Sequence, residues 1–453
     1  MAGGTWTSQN KVRPGAYINF KAVQRGALTV GDRGVAAIGL PLSWGEEGEL
    51  IEVLSSDFLN GNSVKSVGVD ASSTGRCARL LRGVLSYAYK VLVYRLPTIG
   101  TSAVSAAKAT VTVAGIVCTA KYKGAMGNNL SVAIVADGTN WRVYSYLNGS
   151  QVDNQKITQI SDLVSNDYID FSAAGSGSLA ATTAQLEGGA DEVVLVANIG
   201  TAYSSMRNKL ELANWQTFAV ATDNATEISN FITFIENLRD DEGRYVQAVV
   251  PNAAGADFEG IINNVCGAIV NGETFDAVDF TAIVAGMTAG ANFNESNTAR
   301  VINGATSIVN QLTDSQIKTG LGEGKFMLSS TASGNIKVEQ DINSLHNYPS
   351  DKNYTFSKNR VIRLLDEIGT SVKKTWEDTY MGKVNNNASG RSLFRSDIIQ
   401  YMMELQRLTA IQEFVPDDVV VEKGTDIDAV LVTIGVMPVD SMEKLYMTVN
   451  VSS

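Results

Sequence analysis

Between residues 98 and 192 the sequence changes period, and that change constrains the fold more than any other feature. The stretch "TIGTSAVSAAKATVTVAGIVCTAKYKGAMGNNLSVAIVADGTNWRVYSYLNGSQVDNQKI" is rich in Thr, Val, Ser and Gly, alternates with period two, and carries turn signals at Asp137-Gly138 and Asn148-Gly149. It reads as a small all-β unit that closes at "ATTAQLEGGADE". On either side the pattern differs. "SSTGRCARLLRGVLSYAYKVLVYRL" predicts a helix over 73–87 and an apolar strand over 90–96, of the kind covered on both faces. After the block, "NKLELANWQTFAVATDN", "ATEISNFITFIENLRDDEGRYVQAVVPN" and "FTAIVAGMTAGAN" set amphipathic helices before short apolar strands, the pattern of an α/β domain with a largely parallel sheet. The β unit, 98–192, is therefore an insertion in an α/β core whose parts are 23–97 and 193–323.

From 324 to 436 the pattern is α+β: strands in "GKFMLSSTASGNIKVEQDINSL", a long helix capped near Ser357, and a second helix, "SLFRSDIIQYMMELQRLTAIQEF", running to Phe414. Pro416 ends that helix, and two or three strands follow to the terminus. Two strand patterns have no partner nearby. "KVRPGAYINFKA", 11–22, follows only the polar, glycine-containing "MAGGTWTSQN", and "KLYMTVNV" near the end is equally isolated. The expected fold class is thus a multi-domain chain: α/β core, all-β insertion, α+β C-terminal domain, and extended terminal segments at 1–22 and 437–453.

A formal net charge of -11 and no basic run longer than Lys373-Lys374 argue against nucleic acid as a partner, because phosphate binding needs cations gathered on one face. Three widely spaced cysteines, Cys77, Cys118 and Cys266, imply neither a disulfide framework nor a zinc site. The start lacks an apolar leader and no stretch is long enough to cross a bilayer, so a protein made without a secretory signal or membrane anchor is expected.

Candidate chemistry is sparse, and no enzyme, cofactor or metal is expected. His346 is the single histidine and reads as a loop residue. Cys266 lies at helical apolar spacing and reads as core. "GAMGNNL" lacks the Lys-Ser/Thr and the helix start of a phosphate loop and reads as a turn between strands. "RDDEGR" reads as a helix end at Gly243, and the pairs Asp417-Asp418 and Asp426-Asp428 as turn and edge residues. A hydrolase using Asp223, Asp241 and Cys266 is the weakest alternative; a surface adhesin or carbohydrate-binding protein with Trp141, Tyr144 and Tyr146 as platform is a stronger one.

Several segments, taken in order, resemble the tail sheath proteins of contractile phage tails and phage-tail-like bacteriocins, in the branch found in Gram-positive phages and defective prophages. They are "GGTWTSQNKVRPGAYINFKA", "DRGVAAIGLPLSWG", "KYKGAMGNNLSV", "LEGGAD", "DEGRYVQAVV", "VAGMTAGA", "DINSLHNYPSDKNYTFSKNRVIRLLDEI" and "VDSMEKLYMTVNV". The resemblance implies a structural subunit that polymerises as a six-start sleeve around an inner tube and contracts to drive the tube through an envelope. It also implies a virion or tail-like particle assembled in the host bacterial cytoplasm, with the tube, baseplate and tail terminator proteins as partners. Carried over, the exchanged strands are 12–20, with Val12, Tyr17, Ile18 and Phe20, and 445–451, with Leu445, Tyr446, Met447, Val449 and Val451. The receiving hairpin is 419–436, with Val419, Val421, Val430, Val432 and Ile434. The tube-facing helix is 396–413, with Asp397, Gln400, Glu404, Arg407 and Gln412. Strand donation has a physical rationale: backbone hydrogen bonds supply affinity and alternate side chains set register.

Overall fold

In the computed structural model the described residues are 2–4, 15–17 and 34–451. Two compact units make up the chain, one of residues 32–366 with 440–453, the other of 1–31 with 367–439.

The first unit is built on a seven-stranded sheet. Its strands are β1 (Val35–Leu40), β2 (Leu50–Leu54), β3 (Lys90–Arg95), β4 (Thr217–Ala219), β5 (Gln247–Pro251), β6 (Ile261–Asn264) and β7 (Lys325–Phe326). They lie in the order β7-β6-β5-β4-β1-β3-β2, all parallel except β2, which runs antiparallel on the edge. Alternation along the strands feeds two cores. Ile38, Val91, Val93, Ala219, Val249 and Ile262 face one, while Ala37, Leu92, Phe218, Ala248 and Val250 face the other. A parallel sheet covered on both faces requires such doubly apolar strands.

Helices α1 (Arg76–Leu85), α2 (Ile199–Leu212), α3 (Ala225–Asp240) and α4 (Ala277–Gly290) cover the faces. Helix α4 is buried along nearly its whole length and packs tightly on α1. Gly286 permits this, since a Cβ there would stand 2.3 Å from the carbonyl oxygen of Val84. Asp276 caps α4 by accepting from the amide of Asp279, whose own carboxylate takes Arg76 and Arg79 of α1.

Between β3 and α2 the chain leaves the sheet. Strands 130–137, 140–147, 150–157 and 182–185 form one sheet, 110–113, 116–120 and 169–173 a second, and the two enclose a common core. Asn148 and Gly149, both with positive φ, turn the central hairpin as a type I′ pair demands. "GAMGNNL" departs from the expected simple turn, because a 3-10 turn runs over Ala125–Asn129. The outgoing and incoming chains pair with each other, Val193–Leu195 lying parallel to Thr98–Gly100.

The second unit begins within helix α5 (Asn359–Thr375), which continues as a π turn over Trp376–Tyr380. Helix α6 (Ala388–Arg407) and the hairpin β8 (Val419–Lys423) and β9 (Val430–Ile434) complete it. The reading of α6 as running to Phe414 is corrected: it stops at Arg407. Thr409 takes φ +56°, its amide donates to Gln406 and that of Ala410 to Leu405, a Schellman cap closed on a β-branched residue that propensity alone does not foresee. Among the described residues no third strand follows β9, and 445–451 is exposed chain outside any ladder.

At the other terminus Ala2–Gly4 pairs in parallel with Gly15–Tyr17. The expectation that nothing ahead of 11–22 supplies a partner is therefore corrected, for ladder hydrogen bonds are made by backbone and ask no apolar side chain of a glycine-rich lead. Val12, Ile18 and Phe20 lie outside the described residues, and at Tyr17 only the backbone is described.

Candidate assembly surfaces

Among the described residues no further strand pairs with either edge of the hairpin β8–β9. Its phase is fixed by the amide of Gly435 donating to Asp418 (2.8 Å) and that of Gly424 to Ala429 (2.9 Å). In antiparallel geometry the intervening pairs, Val419 with Ile434, Val421 with Val432 and Lys423 with Val430, then point their N–H and C=O groups outward. On β8 one of these is taken, since Arg395 Nε donates to the Val419 carbonyl at 2.7 Å. The face bearing Val419, Val421, Val430, Val432 and Ile434 is the more buried, with Val419 fully buried where β8 packs on α6. Val420 and Leu431, on the other face, are 41% and 56% exposed. A two-stranded hairpin is marginal alone, and an uncovered edge of this kind is a template for another strand.

An unpaired strand pattern stands at the C-terminus. Leu445, Met447, Val449 and Val451 alternate with Tyr446, Thr448 and Asn450, and all are exposed, Tyr446 and Val451 at 90%. Just before them the chain is held down. Glu443 pairs with Lys358 and accepts from Gln340 Nε2 (2.8 Å) and Thr298 Oγ1 (2.7 Å). Burial raises the Glu443 carboxyl, but the hydrogen bonds from Lys358, Gln340 and Thr298 outweigh it and hold the group below the usual carboxylate range. For Lys358, burial alone would lower the ammonium; Glu443 and Asp440 keep it raised.

Along α6 the expected positions Asp397, Gln400, Glu404 and Arg407 share a stripe at helical spacing. Gln400 is exposed, and Glu404 and Arg407 are bridged at 2.5 Å. Asp397 is turned toward Tyr380, whose hydroxyl donates to it. Gln412 lies past the helix end and its amide meets Met437 Sδ at 3.2 Å. The opposite stripe, Phe394, Ile398, Tyr401, Met402 and Leu405, is buried.

Sequence reasoning missed Glu443, and it missed the joint at the root of the β insertion. Arg95, buried at the end of β3, donates to the carbonyls of Leu42 (2.8 Å), Gly45 (2.9 Å) and Lys123 (2.8 Å). Asp191 of "LEGGAD" accepts from Ser43 Oγ (2.7 Å) and the Ala125 amide (2.9 Å). Trp44, fully buried, belongs to the core of the insertion, edge-on to Tyr122 at 5.3 Å and stacked on Tyr168 at 6.3 Å. A charge closing an apolar strand, and a Trp just past the first strand, were the available signals.

The platform of the adhesin reading is divided. Tyr144 and Tyr146 lie 6.2 Å apart on one face of their strand, while Trp141 has the register of the inner face and packs on the core. Cys266 is buried and its thiol raised by burial; Asp241 is exposed at the end of α3. His346 Nδ1 lies 2.9 Å from the Ser344 carbonyl in an irregular segment. Among the described residues no group of three or more His, Cys, Asp or Glu is placed to hold a metal ion, and no helix is long and apolar enough to cross a membrane.

Comparison with known proteins matches three successive stretches of the chain. Residues 103–191 match the phage tail sheath protein beta-sandwich domain, 197–344 the central domain and 351–452 the C-terminal domain. Over the full length of both chains the protein is 31% identical to the phage-like element PBSX protein XkdK of Bacillus subtilis. The crystal structure of a sheath tail protein from Desulfitobacterium hafniense superposes with a TM-score of 0.80 at 35% identity, covering 96% of this chain and 99% of that one. A sheath tail protein from Listeria innocua gives 0.80 at 30%, covering 92% and 95%. The order of its domains and its full-length likeness place this chain in the phage tail sheath family, as a structural protein of the tail sheath.

Proposed function

We propose that this protein is the repeating subunit of a contractile sleeve: it polymerises as a six-start helix around an inner tube, and shortening of the sleeve drives the tube through a target envelope. The observation that carries this reading is that one chain carries both an open-edged hairpin, 419–434, and an exposed C-terminal segment, 445–451, whose apolar side chains alternate as a strand's do. Each subunit donates that segment to the hairpin of a second copy, and its N-terminal segment, about 12–20, adds to the same small sheet. The stripe Asp397, Gln400, Glu404 and Arg407 on α6 faces the tube. Baseplate and tail terminator proteins close the ends of the sleeve, and the particle assembles in the host bacterial cytoplasm.

Contraction in this reading needs no nucleotide: the extended lattice is trapped, and firing exchanges one set of contacts between subunits for a more favourable one. Deleting 444–453, or 1–20, from the full chain is expected to leave a folded, soluble protein that forms no striated sleeves by negative-stain microscopy. Normal sleeves from the 444–453 deletion would overturn the exchange of the C-terminal strand, and normal sleeves from the 1–20 deletion that of the N-terminal one.

A further inference from the structure

We infer that Glu443 is the anchor that fastens the C-terminal segment to the central unit, so that each exchanged strand couples the central unit of one subunit to the C-terminal unit of the next. The inference rests on the strand-exchange reading above and adds where the link is made fast. Residues 440–453 group with 32–366, whereas the hairpin belongs to the other unit. A short tail of polar and apolar residues has no hydrophobic reason to stay on a core, since Met442 and Leu445 on either side of Glu443 are exposed. What holds it is polar. The carboxylate, with its side chain 10% exposed, meets the ammonium of Lys358, itself 5% exposed, and takes hydrogen bonds from Gln340 and Thr298; Asp440 adds a second carboxylate 3.7 Å from Lys358.

The anchor is also continuous with the most deeply buried ion pair among the described residues. Thr298 Oγ1, which donates to Glu443, accepts from the amide of Asp341 at 2.9 Å. Asp341 in turn pairs with Arg363 at 2.8 Å, at side-chain exposures of 1% and 0%. Gln340 and Lys358, which touch the tail, are the sequence neighbours of Asp341 and Asn359, which bond to each other at 3.0 Å. The same two segments thus build an internal network with one residue and grip the tail with the next. Pull on the donated strand is delivered through Glu443 into that network, and Lys444 is the first exposed residue beyond it. A short polar anchor with exposed chain beyond it is what a link needs if it is to survive reorientation of the subunits it joins.

The test uses the full chain with Glu443→Ala and, as a shape-conserving second variant, Glu443→Gln, beside a deletion of 444–453. Expected for Glu443→Ala are a melting temperature lowered by no more than about 4–7 °C, since the Lys358 ammonium, 5% exposed, loses its closest carboxylate, amide exchange over 440–446 faster by at least tenfold relative to the rest of the central unit in the soluble protein, and sleeves that release subunits at least tenfold faster in denaturant, with Glu443→Gln intermediate. If Glu443→Ala sleeves are as durable as the parent's while the deletion abolishes assembly, the anchor is wrong and strand exchange stands. If the deletion also assembles normally, the strand-exchange reading itself fails.

Discussion

Replacing Asp341 with Asn tests the buried network that supports the anchor. The wild-type carboxylate accepts from Arg363 (2.8 Å), the Asn297 amide (2.9 Å) and Asn359 (3.0 Å). Asn keeps the shape but turns an NH₂ group toward donors and leaves the Arg363 guanidinium buried without its counter-charge. Breaking one side of such a pair costs about 3–5 kcal/mol, because the remaining charge stays desolvated. With an unfolding entropy of about 2.1 cal/mol/K per residue over a unit spanning 32–366, each kcal/mol is worth about 1.4 °C, so the melting temperature should fall by about 4–7 °C. The double variant Asp341→Asn with Arg363→Met should recover most of that loss, since removing both charges together is nearly neutral. The pH dependence has a definite sign. Burial raises the Asp341 carboxyl, but Arg363 and the Asn297 amide outweigh it and the folded value lies below the ordinary one. The stability contributed by the ionised group is therefore present above its unfolded-state value, about 3.9, and is lost as pH falls through the lower folded value. Differential scanning calorimetry at pH 7 and at steps below pH 4 should show the gap between parent and variant narrowing only in the acid series. A fall of less than about 1 °C at pH 7, or a double variant no better than the single, would refute the reasoning.

Other perturbations address assembly and packing. Val432→Pro removes an outward N–H and no hairpin bond, so the soluble protein should melt normally, while the loss of about 1 kcal/mol per link raises the critical concentration for sleeve formation about fivefold in sedimentation assays. Gly286→Val drives a side chain into the Val84 carbonyl, with a Cβ at 2.3 Å, and should cost at least about 1–3 kcal/mol by denaturant unfolding. Arg95→Met strips three carbonyls of their donor and should destabilise by at least about 2 kcal/mol, seen as faster limited proteolysis between 97 and 107.

Much of the architecture was legible because it depends on local period. Alternating Val and Thr marked the sandwich strands, Asn148-Gly149 marked a type I′ turn, and the doubly apolar "KVLVY" marked an interior strand. What was illegible depends on partners far along the chain. Thr409 ends α6 with a strained backbone that has no local sequence signature, and Gln412 fell outside the stripe for that reason. Glu443 looked like one more charge before a strand; its meaning comes from Thr298, Gln340 and Lys358, 145, 103 and 85 residues away. Trp141 and Tyr144 looked alike as aromatics, yet odd and even positions on one strand face opposite ways.

Trp44 gives the sandwich a mechanical property. Because an indole from the segment after β1 is built into the core of the insertion, and Arg95 ties the sandwich loop at Lys123 to the end of β3, the insertion has no free swivel at its neck. It turns as a lever rigidly fixed to the central sheet. A fluorophore on the exposed turn at Gly149 would thus rotate through the same angle as that sheet, making the sandwich a built-in pointer from which any rotation of a subunit in the proposed contraction would be read by polarised emission.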